Sequence, residues 1–387
     1  MRLIAITAVI LAAVSSVAVF GTLQQRKTDS YSNAYKERTT SLSYLSRKHD
    51  LLQTERSNRV AFTQYTALSD SIRDLSDQQL AGRLIMINLP GPVATDTNVA
   101  FLRDHSIGGV ILMGGNISSP QQLTSLITSY KAAVPDLLVA VDQEGGIVSR
   151  IHWEKNAGLS AQVLGTGTPE AAAEVHRQRA KLLSELGVDI VFAPVLDLRL
   201  PGSWIGSRSF SDDSSRVSTY AESIVPAIES QGVASAAKHF PGLGRSAEDS
   251  HEVLPVIPAD RDMLAEDIAP FTAYVKAGGS MIMTGHGLYP ALDPDMPASL
   301  SSDVVTGLIR KEMGFEGIIV TDDLRMGALD AWPDKSSQAL SAGNDMLLYI
   351  DYLPDTKRAI TSLTEEFSRE ELEMMVIRLH RKTADLP

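Results

Sequence analysis

The stretch Val233-Ala234-Ser235-Ala236-Ala237-Lys238-His239-Phe240-Pro241-Gly242 sets five small, mostly apolar residues ahead of a Lys-His pair and a Pro-Gly bend. A run of that length and composition reads as a buried strand, so Lys238 and His239 arrive where the strand ends. A charge pointing inward at that place must meet a polar partner. The loop then continues through Leu243-Gly244-Arg245-Ser246 to Asp249-Ser250-His251, an Asp-x-His pair at its far end. A buried strand that delivers titratable groups into a bent loop is the arrangement expected of an active-site loop.

The same grammar recurs along the chain. Apolar runs lie at Leu84 to Asn88, Val110 to Met113, Leu137 to Val141, Ile190 to Ala193, Val233 to Ala237, Met281 to Thr284, Ile318 to Thr321 and Met346 to Ile350. Between them are amphipathic stretches of helical period: Pro169 to Leu186, Ser215 to Ser230, Asp260 to Lys276 and Leu300 to Met313. The first is opened by Thr168 as N-cap with Pro169 at the first helical position, and closed by Gly187. Eight strand-helix units in roughly 300 residues predict an α/β fold of the closed (β/α)8, TIM-type barrel class, not an open doubly wound sheet.

In such a barrel the chemistry sits on loops that follow the C-terminal ends of the strands. Polar clusters should therefore trail the apolar runs. They do: Asp142-Gln143-Glu144-Gly145-Gly146 and then Arg150 follow the third run, Asp197 the fourth, Lys238-His239 the fifth, Gly285-His286-Gly287 the sixth, Asp322-Asp323 the seventh and Asp351 the eighth. The lead-ins to the strands are short and Gly-rich instead, as in Ala277-Gly278-Gly279 and Phe315-Glu316-Gly317.

Composition narrows the partners. With 387 residues, 44% hydrophobic and 21% charged, the chain can bury one large core. A net charge of −12 with no sustained Lys/Arg stripe argues against nucleic acid, because phosphate binding needs clustered positive charge. The phosphate-cradling and zinc-protease signatures are missing, the eight histidines are scattered without metal-ligand spacing, and cysteine is absent. No cofactor and no metal are expected. The lack of cysteine also suits an exported protein.

Leu3 to Phe20 form an apolar run after Arg2, close to the minimum for spanning a bilayer core as a helix. Ser16-Val17-Ala18 offers a weak small-x-small cleavage site, so residues 1–23 are expected to remain as a membrane anchor. Arg26 and Lys27 just after the run pull the other way, toward a cytoplasmic C-terminal part. The expected location is nevertheless membrane-anchored on the extracytoplasmic face, or secreted if the segment is removed. Residues 24–75 are polar and helix-permissive, as a helical or disordered stalk would be. The barrel is expected over 76–387.

A barrel mouth with several carboxylates, two arginines and a lysine, but no phosphate cradle, suits recognition of many hydroxyls and cleavage of an acetal. Retaining glycoside hydrolysis needs a carboxylate nucleophile at the anomeric carbon and an acid for the departing oxygen. Asp322 or Asp323 can supply the first; alternation along a strand turns neighbours in opposite directions, so one of the two should face the centre. His251, oriented by Asp249, can donate a proton and later accept one from water.

From about Leu75 to about Phe367 the chain resembles the single-barrel β-N-acetylhexosaminidases of glycoside hydrolase family 3. The matching segments are Val141 to Gly146, Phe192 to Asp197, Ile205 to Phe210, the Lys238 to His251 loop, Pro290 to Pro294 and Val320 to Met326. The resemblance implies that Asp322 is the nucleophile, that Asp249 and His251 are the acid/base dyad, and that Asp142, Arg150, Arg208, Lys238 and His239 bind the sugar in the −1 subsite. Asp197 and His286 are candidates of lower standing, Asp197 as a loop cap or a ligand, and Glu144 is expected to support its loop. The expected substrate is a terminal β-linked N-acetylglucosamine from a small carbohydrate or muropeptide. The family's β-glucosidases take their acid from a second domain, for which few residues follow position 370.

The chain departs from the family pattern in three places. Leu243, Arg245 and Ser246 replace a His, an Asp and a Thr of the loop; Gly285 stands where alanine is usual; and Leu198 to Trp204 differ. Arg245 reverses a charge near the dyad, which predicts a changed pH optimum if it approaches His251. Two other readings accompany the hydrolase: a catalytically weak barrel that binds wall sugars at the membrane, and a phosphorolytic or β-glucosidase variant of the same family.

Overall fold

The computed structural model describes residues 72–350 and 353–387. The expected membrane segment, nearly all of the expected stalk, and Asp351 lie outside the described residues. Among the described residues no helix is long and apolar enough to cross a membrane.

After helix α1 (Asp77–Arg83) come strands β1 (Ile85–Ile87), β2 (Gly109–Leu112) and β3 (Leu138–Val141), then a small antiparallel hairpin of β4 (Gln143–Gly145) and β5 (Val148–Ser149). The remaining strands are β6 (Ile190–Val191), β7 (Ala234–Phe240), β8 (Met281–Thr284), β9 (Ile318–Asp323) and β10 (Met346–Tyr349). Without the hairpin, eight strands close into a parallel barrel in the order β1-β10-β9-β8-β7-β6-β3-β2. Ile85 of β1 pairs with Leu347 of β10, and Met86 with Gly109 of β2, which seals the ring.

Each expected apolar run contains a barrel strand. Two strands overrun their apolar stretches, and both run into charged residues: β7 continues through Lys238-His239-Phe240 and β9 through Asp322-Asp323. Both also carry register shifts, between Ala237 and Phe240 against β8, and opposite Met346 and Leu348 of β10. Such irregularities bend a strand and re-aim its side chains, and here they lie where polar groups leave the sheet.

The outer layer follows the amphipathic stretches. Helices α2 (Asp96–Asp104), α3 (Pro120–Ala133) and α4 (Ala161–Leu164) precede α5, which spans Pro169–Leu186. Thr168 accepts from the Ala171 N–H, Pro169 opens the helix, and Gly187 ends it at φ +88°, a left-handed conformation glycine adopts without a side-chain clash. Helices α6 (Ser214–Glu229) and α7 (Arg261–Lys276) are capped by Asp213 and Asp260. The segment from Leu300 departs from the expected α-helix: after a short turn it continues as a π-helix over Asp303–Glu312. Helices α8 (Lys335–Ala342), α9 (Leu353–Glu366) and α10 (Arg369–Ala384) complete the layer.

The floor of the barrel is held by charge. Asp345, fully buried just before β10, pairs with Arg310 of the π-helix and with Arg378 (2.9 Å) and Lys382 (2.9 Å) of α10, and accepts the Ile319 N–H at 2.8 Å. Those partners outweigh the burial penalty and hold its carboxyl well below the usual range. The last helix is thereby fastened to the sheet at the end opposite the loops that carry the site.

One buried histidine gives the fold an acid limit. His176 of α5 lies against Phe210 with Nε2 buried and unpartnered among the described residues. Burial, reinforced by Arg179, lowers its pKa far below the ordinary value. The folded ring therefore stays neutral where the unfolded one takes a proton, so its contribution is complete above about pH 6.5 and declines as pH falls, at about 1.4 kcal/mol per pH unit for one proton. His176→Leu loses ring packing at every pH but removes that slope. In urea titrations the stability gap between wild type and variant should narrow by about 1.2 kcal/mol in all between pH 7 and 5.5, the full slope being reached only below about pH 5.5.

Candidate active site

The loop after β3 is built around a buried arginine from a helix. Arg179 of α5 donates from Nη1 to the Glu144 carbonyl (2.7 Å) and from Nη2 to the carbonyls of Asn156 (2.7 Å) and Leu159 (2.8 Å), and pairs through Nε with Glu154 (3.2 Å). The chain can pass this close because Gly145, at φ +92°, has no side chain: a Cβ there would stand 2.2 Å from Arg179 Nη2. Gln143 accepts the N–H groups of Arg150 and Ile151, both at 2.9 Å, which brings the Arg150 side chain back to Asp142.

The result is a row of alternating charges across the barrel mouth. Arg150 Nη2 lies 3.5 Å from Asp142 Oδ2; Lys238 Nζ donates to Asp142 (2.7 Å) and to Glu144 (2.6 Å); Arg208 grips Glu144 with Nε (2.9 Å) and Nη2 (2.8 Å). Lys238 is 3% exposed and Glu144 4%, so each survives burial only through the others. Burial alone would raise the Glu144 carboxyl, but Lys238 and Arg208 bring it down to about 2. The same neighbours overcome desolvation of the cations and raise the Lys238 and Arg208 pKa values.

His239 joins this row to the end of β9. The Lys238–His239 peptide is cis, and both side chains enter the cluster. Asp197, fully buried, accepts a hydrogen bond from His239 Nδ1 at 2.7 Å and another from the Leu243 N–H at 2.7 Å. That fixes the ring so that Nε2 lies 3.3 Å from Arg208 Nη2 and 4.0 Å from Asp322 Oδ2. Asp197 is thus a positioning residue, which the strand-end pattern alone left undecided.

The adjacent carboxylates at the end of β9 have opposite environments. Burial would raise the Asp322 carboxyl, but the His239 and His286 imidazoles and the Asp323 N–H (2.8 Å) hold it below the ordinary range. Asp323 turns the other way and accepts the Arg325 and Ile350 N–H groups, both at 3.1 Å. Burial, with the Asp322 charge adding to it, pushes Asp323 up to about 6 against those two bonds. Asp322 is therefore the more readily ionised of the two, and Asp323 fastens the loop through two backbone N–H groups. His286 serves the same strand end, donating from Nε2 to the Asp323 carbonyl at 3.0 Å with its Nδ1 at 2.8 Å from the Ser299 hydroxyl.

The Asp-x-His pair lies on the rim. Asp249 Oδ1 accepts both the Nδ1 proton (2.7 Å) and the backbone N–H (2.9 Å) of His251, whose side chain is 62% exposed. Its loop is docked on the loop after β9: Gly327 N–H donates to the His251 carbonyl (2.9 Å) and Ala328 N–H to the Ser250 carbonyl (3.2 Å). A side chain at Gly327 would meet the Glu252 carbonyl oxygen at 2.3 Å, so this close docking requires glycine. His251 adds to the field that keeps Asp322 ionised, and Arg208 to the one that favours the Asp249 carboxylate.

The residues expected from sequence thus fall into one buried group, Asp142, Lys238, Arg208, His239 and Asp322 with Arg150 at its edge, and one exposed dyad docked beside it. Glu144 proves central where only loop support was expected, and Arg179 was not singled out. Arg245 corrects the expectation of a charge bearing on the dyad: it is turned to Asp267 (2.6 Å), Glu266 (3.1 Å) and the Met263 carbonyl (2.9 Å). Leu243 is fully buried, and a Cβ on Gly285 would lie 3.5 Å from its Cδ1 and 3.1 Å from His239 Cβ. Two of the departures noted in the sequence are therefore spatial neighbours, the smaller residue leaving room beside the larger.

The profile of the glycosyl hydrolase family 3 N terminal domain matches residues 77–381. Among relatives, the β-hexosaminidase of Xylella fastidiosa strain M23 is 37% identical over 255 residues, covering 64% of this chain and 76% of that protein. The β-hexosaminidase of Nitrosomonas eutropha is 35% identical over 297 residues, 73% and 85% of the two chains. Among solved structures, a family 3 β-N-acetylglucosaminidase from a Paenibacillus species superposes with a TM-score of 0.76 at 32% identity, over 80% of this chain and 63% of that one. NagZ of Neisseria gonorrhoeae, solved with N-trifluoroacetyl-D-glucosamine, gives 0.68 at 30% identity, over 78% and 89%.

Proposed function

This chain belongs to glycosyl hydrolase family 3, and we propose that within it the protein is a retaining β-N-acetylhexosaminidase that releases terminal β-linked N-acetylglucosamine. The observation that carries the reading is Asp322, 4.0 Å from His239 at the end of the buried charge row, with an exposed Asp249–His251 pair docked on the loop that follows Asp322. In the first half-reaction an Asp322 oxygen attacks the anomeric carbon while His251 Nε2 gives its proton to the departing oxygen. In the second, water attacks the same carbon and returns a proton to Nε2, and the carboxylate leaves. Asp249 accepts from Nδ1 throughout and so orients the ring. Asp142, Lys238, Arg208 and His239, with Arg150 at the edge, bind the hydroxyls of the −1 sugar.

The experiment is release of nitrophenol from 4-nitrophenyl N-acetyl-β-glucosaminide by the full chain, with the glucoside for comparison. Preference for the N-acetyl sugar is the expected result; no turnover by folded protein between pH 5 and 8 would overturn the reading. His251→Ala should lower kcat about 10²- to 10⁴-fold. Azide should restore part of that rate and yield the β-glycosyl azide, because an anion needs no base to attack the glycosyl-enzyme.

The natural substrate follows as a further part of the proposal: a muropeptide with terminal N-acetylglucosamine, met on the extracytoplasmic face, with Leu3 to Phe20 as anchor. Recovery of the protein from carbonate-washed membranes tests the anchor, and its appearance in the soluble fraction would remove it.

A further inference from the structure

One aromatic side chain outside the residues assigned above touches both parts of the site. Trp204, in the loop between β6 and α6, has its ring centroid 5.9 Å from that of His251 with the planes at 88°. The Arg208 guanidinium carbon stands 5.4 Å from the centre of the same indole. The Trp204 backbone N–H donates to the Ser246 carbonyl at 3.1 Å, in the loop that carries the dyad. Its indole Nε1 is buried and has no hydrogen-bond partner among the described residues, so this ring is held by packing and charge contacts and not by its polar edge.

His251 needs such a neighbour. Its only side-chain hydrogen bond among the described residues is the one from Nδ1 to Asp249, and a single bond leaves the imidazole free to swing about it. A largely exposed side chain samples several rotamers unless something beside it removes them. An edge-to-face aromatic contact does so, since it favours one mutual orientation of the rings. The Arg208 contact fixes the indole in turn, because a guanidinium gripping Glu144 with two hydrogen bonds cannot easily move.

We propose that Trp204 is the positioning residue of the acid/base: it holds the His251 ring so that Nε2 meets the glycosidic oxygen, and it ties that orientation to the sugar-binding row through Arg208. The proposal rests on the reading of His251 as the acid/base. It gives Trp204, the last residue of the segment that departs from the family pattern, a part in proton transfer.

A misaligned acid matters only when the leaving group needs a proton. For the full chain with Trp204→Ala, kcat/KM should fall roughly 10- to 100-fold on chitobiose, whose departing alkoxide must be protonated, and less than about threefold on the 2,4-dinitrophenyl glycoside. Trp204→Phe, which keeps a ring edge, should recover most of the chitobiose rate; Trp204→Leu replaces the alanine variant if that one does not fold. His251→Ala is the control. If it shows the leaving-group dependence while Trp204→Ala or Trp204→Leu loses equally on both substrates, the positioning role is overturned and the acid/base reading stands. If His251→Ala also loses equally on both, the acid/base reading itself falls and takes this proposal with it.

Discussion

Asp322→Asn is expected to lower turnover by about 10⁴-fold or more, while Asp323→Asn stays within about tenfold of the wild type. The first substitution leaves an amide where a glycosyl ester must form, and 10⁴-fold corresponds to about 5.5 kcal/mol of barrier. The second keeps an oxygen able to accept the Arg325 and Ile350 N–H groups. Trapping with a 2-acetamido-2-deoxy-5-fluoro glycosyl fluoride, followed by peptide mass spectrometry, reads the same assignment directly. Label on the Asp322 carboxyl is the expected result; label on Asp323, or an inactive Asp323→Asn beside an active Asp322→Asn, would reverse it.

The second large effect is on stability. Glu144→Gln should cost about 3 to 5 kcal/mol in chemical denaturation, because it leaves Lys238 and Arg208 buried with one carboxylate of the row removed. The pH behaviour gives an independent measure. The folded Glu144 carboxyl is lowered from 4.5 to about 2, so its contribution is complete above the unfolded value and lost as pH falls through the folded one. That shift corresponds to about 3 kcal/mol, which the wild type should lose between roughly pH 5 and pH 2 relative to the variant. A Glu144→Gln protein as stable as the wild type at pH 7 would show that the remaining carboxylates, Asp142 and Asp197, suffice for the two cations.

Much of this could be read from the chain alone, for identifiable reasons. A barrel strand is buried on both faces, so it appears as an unbroken apolar run, and the runs from Leu84 to Ile350 locate all eight strands of the ring. Capping chemistry is local, and Thr168, Pro169 and Gly187 therefore delimit α5 as expected. Alternation along β9 explains why one of two adjacent aspartates faces the mouth. What escaped notice depends on distance in sequence. Glu144 meets Arg208 and Lys238 only because three strand ends converge, and Arg179 reaches its loop from the middle of a helix. Nearness in sequence leaves open whether Arg245 approaches the dyad, and its partner Asp267 lies on the following helix. Trp204 stands out in sequence only as the end of a segment that departs from the family pattern, since its relation to His251 exists only after two loops have folded against each other.

The separation of the site into a buried row and an exposed pair divides its response to salt. Mobile ions screen exposed charges beyond about 8 Å at physiological strength and beyond about 3 Å at 1 M, whereas they cannot enter the packed interior. Glu144, Lys238 and Arg208, buried behind the mouth, keep their mutual attraction in brine. The hold of Asp249 on a protonated His251 faces solvent and weakens there. If His251 is the acid/base and the buried row the sugar site, as proposed, rates measured in dilute buffer and in concentrated salt are expected to differ in kcat more than in KM.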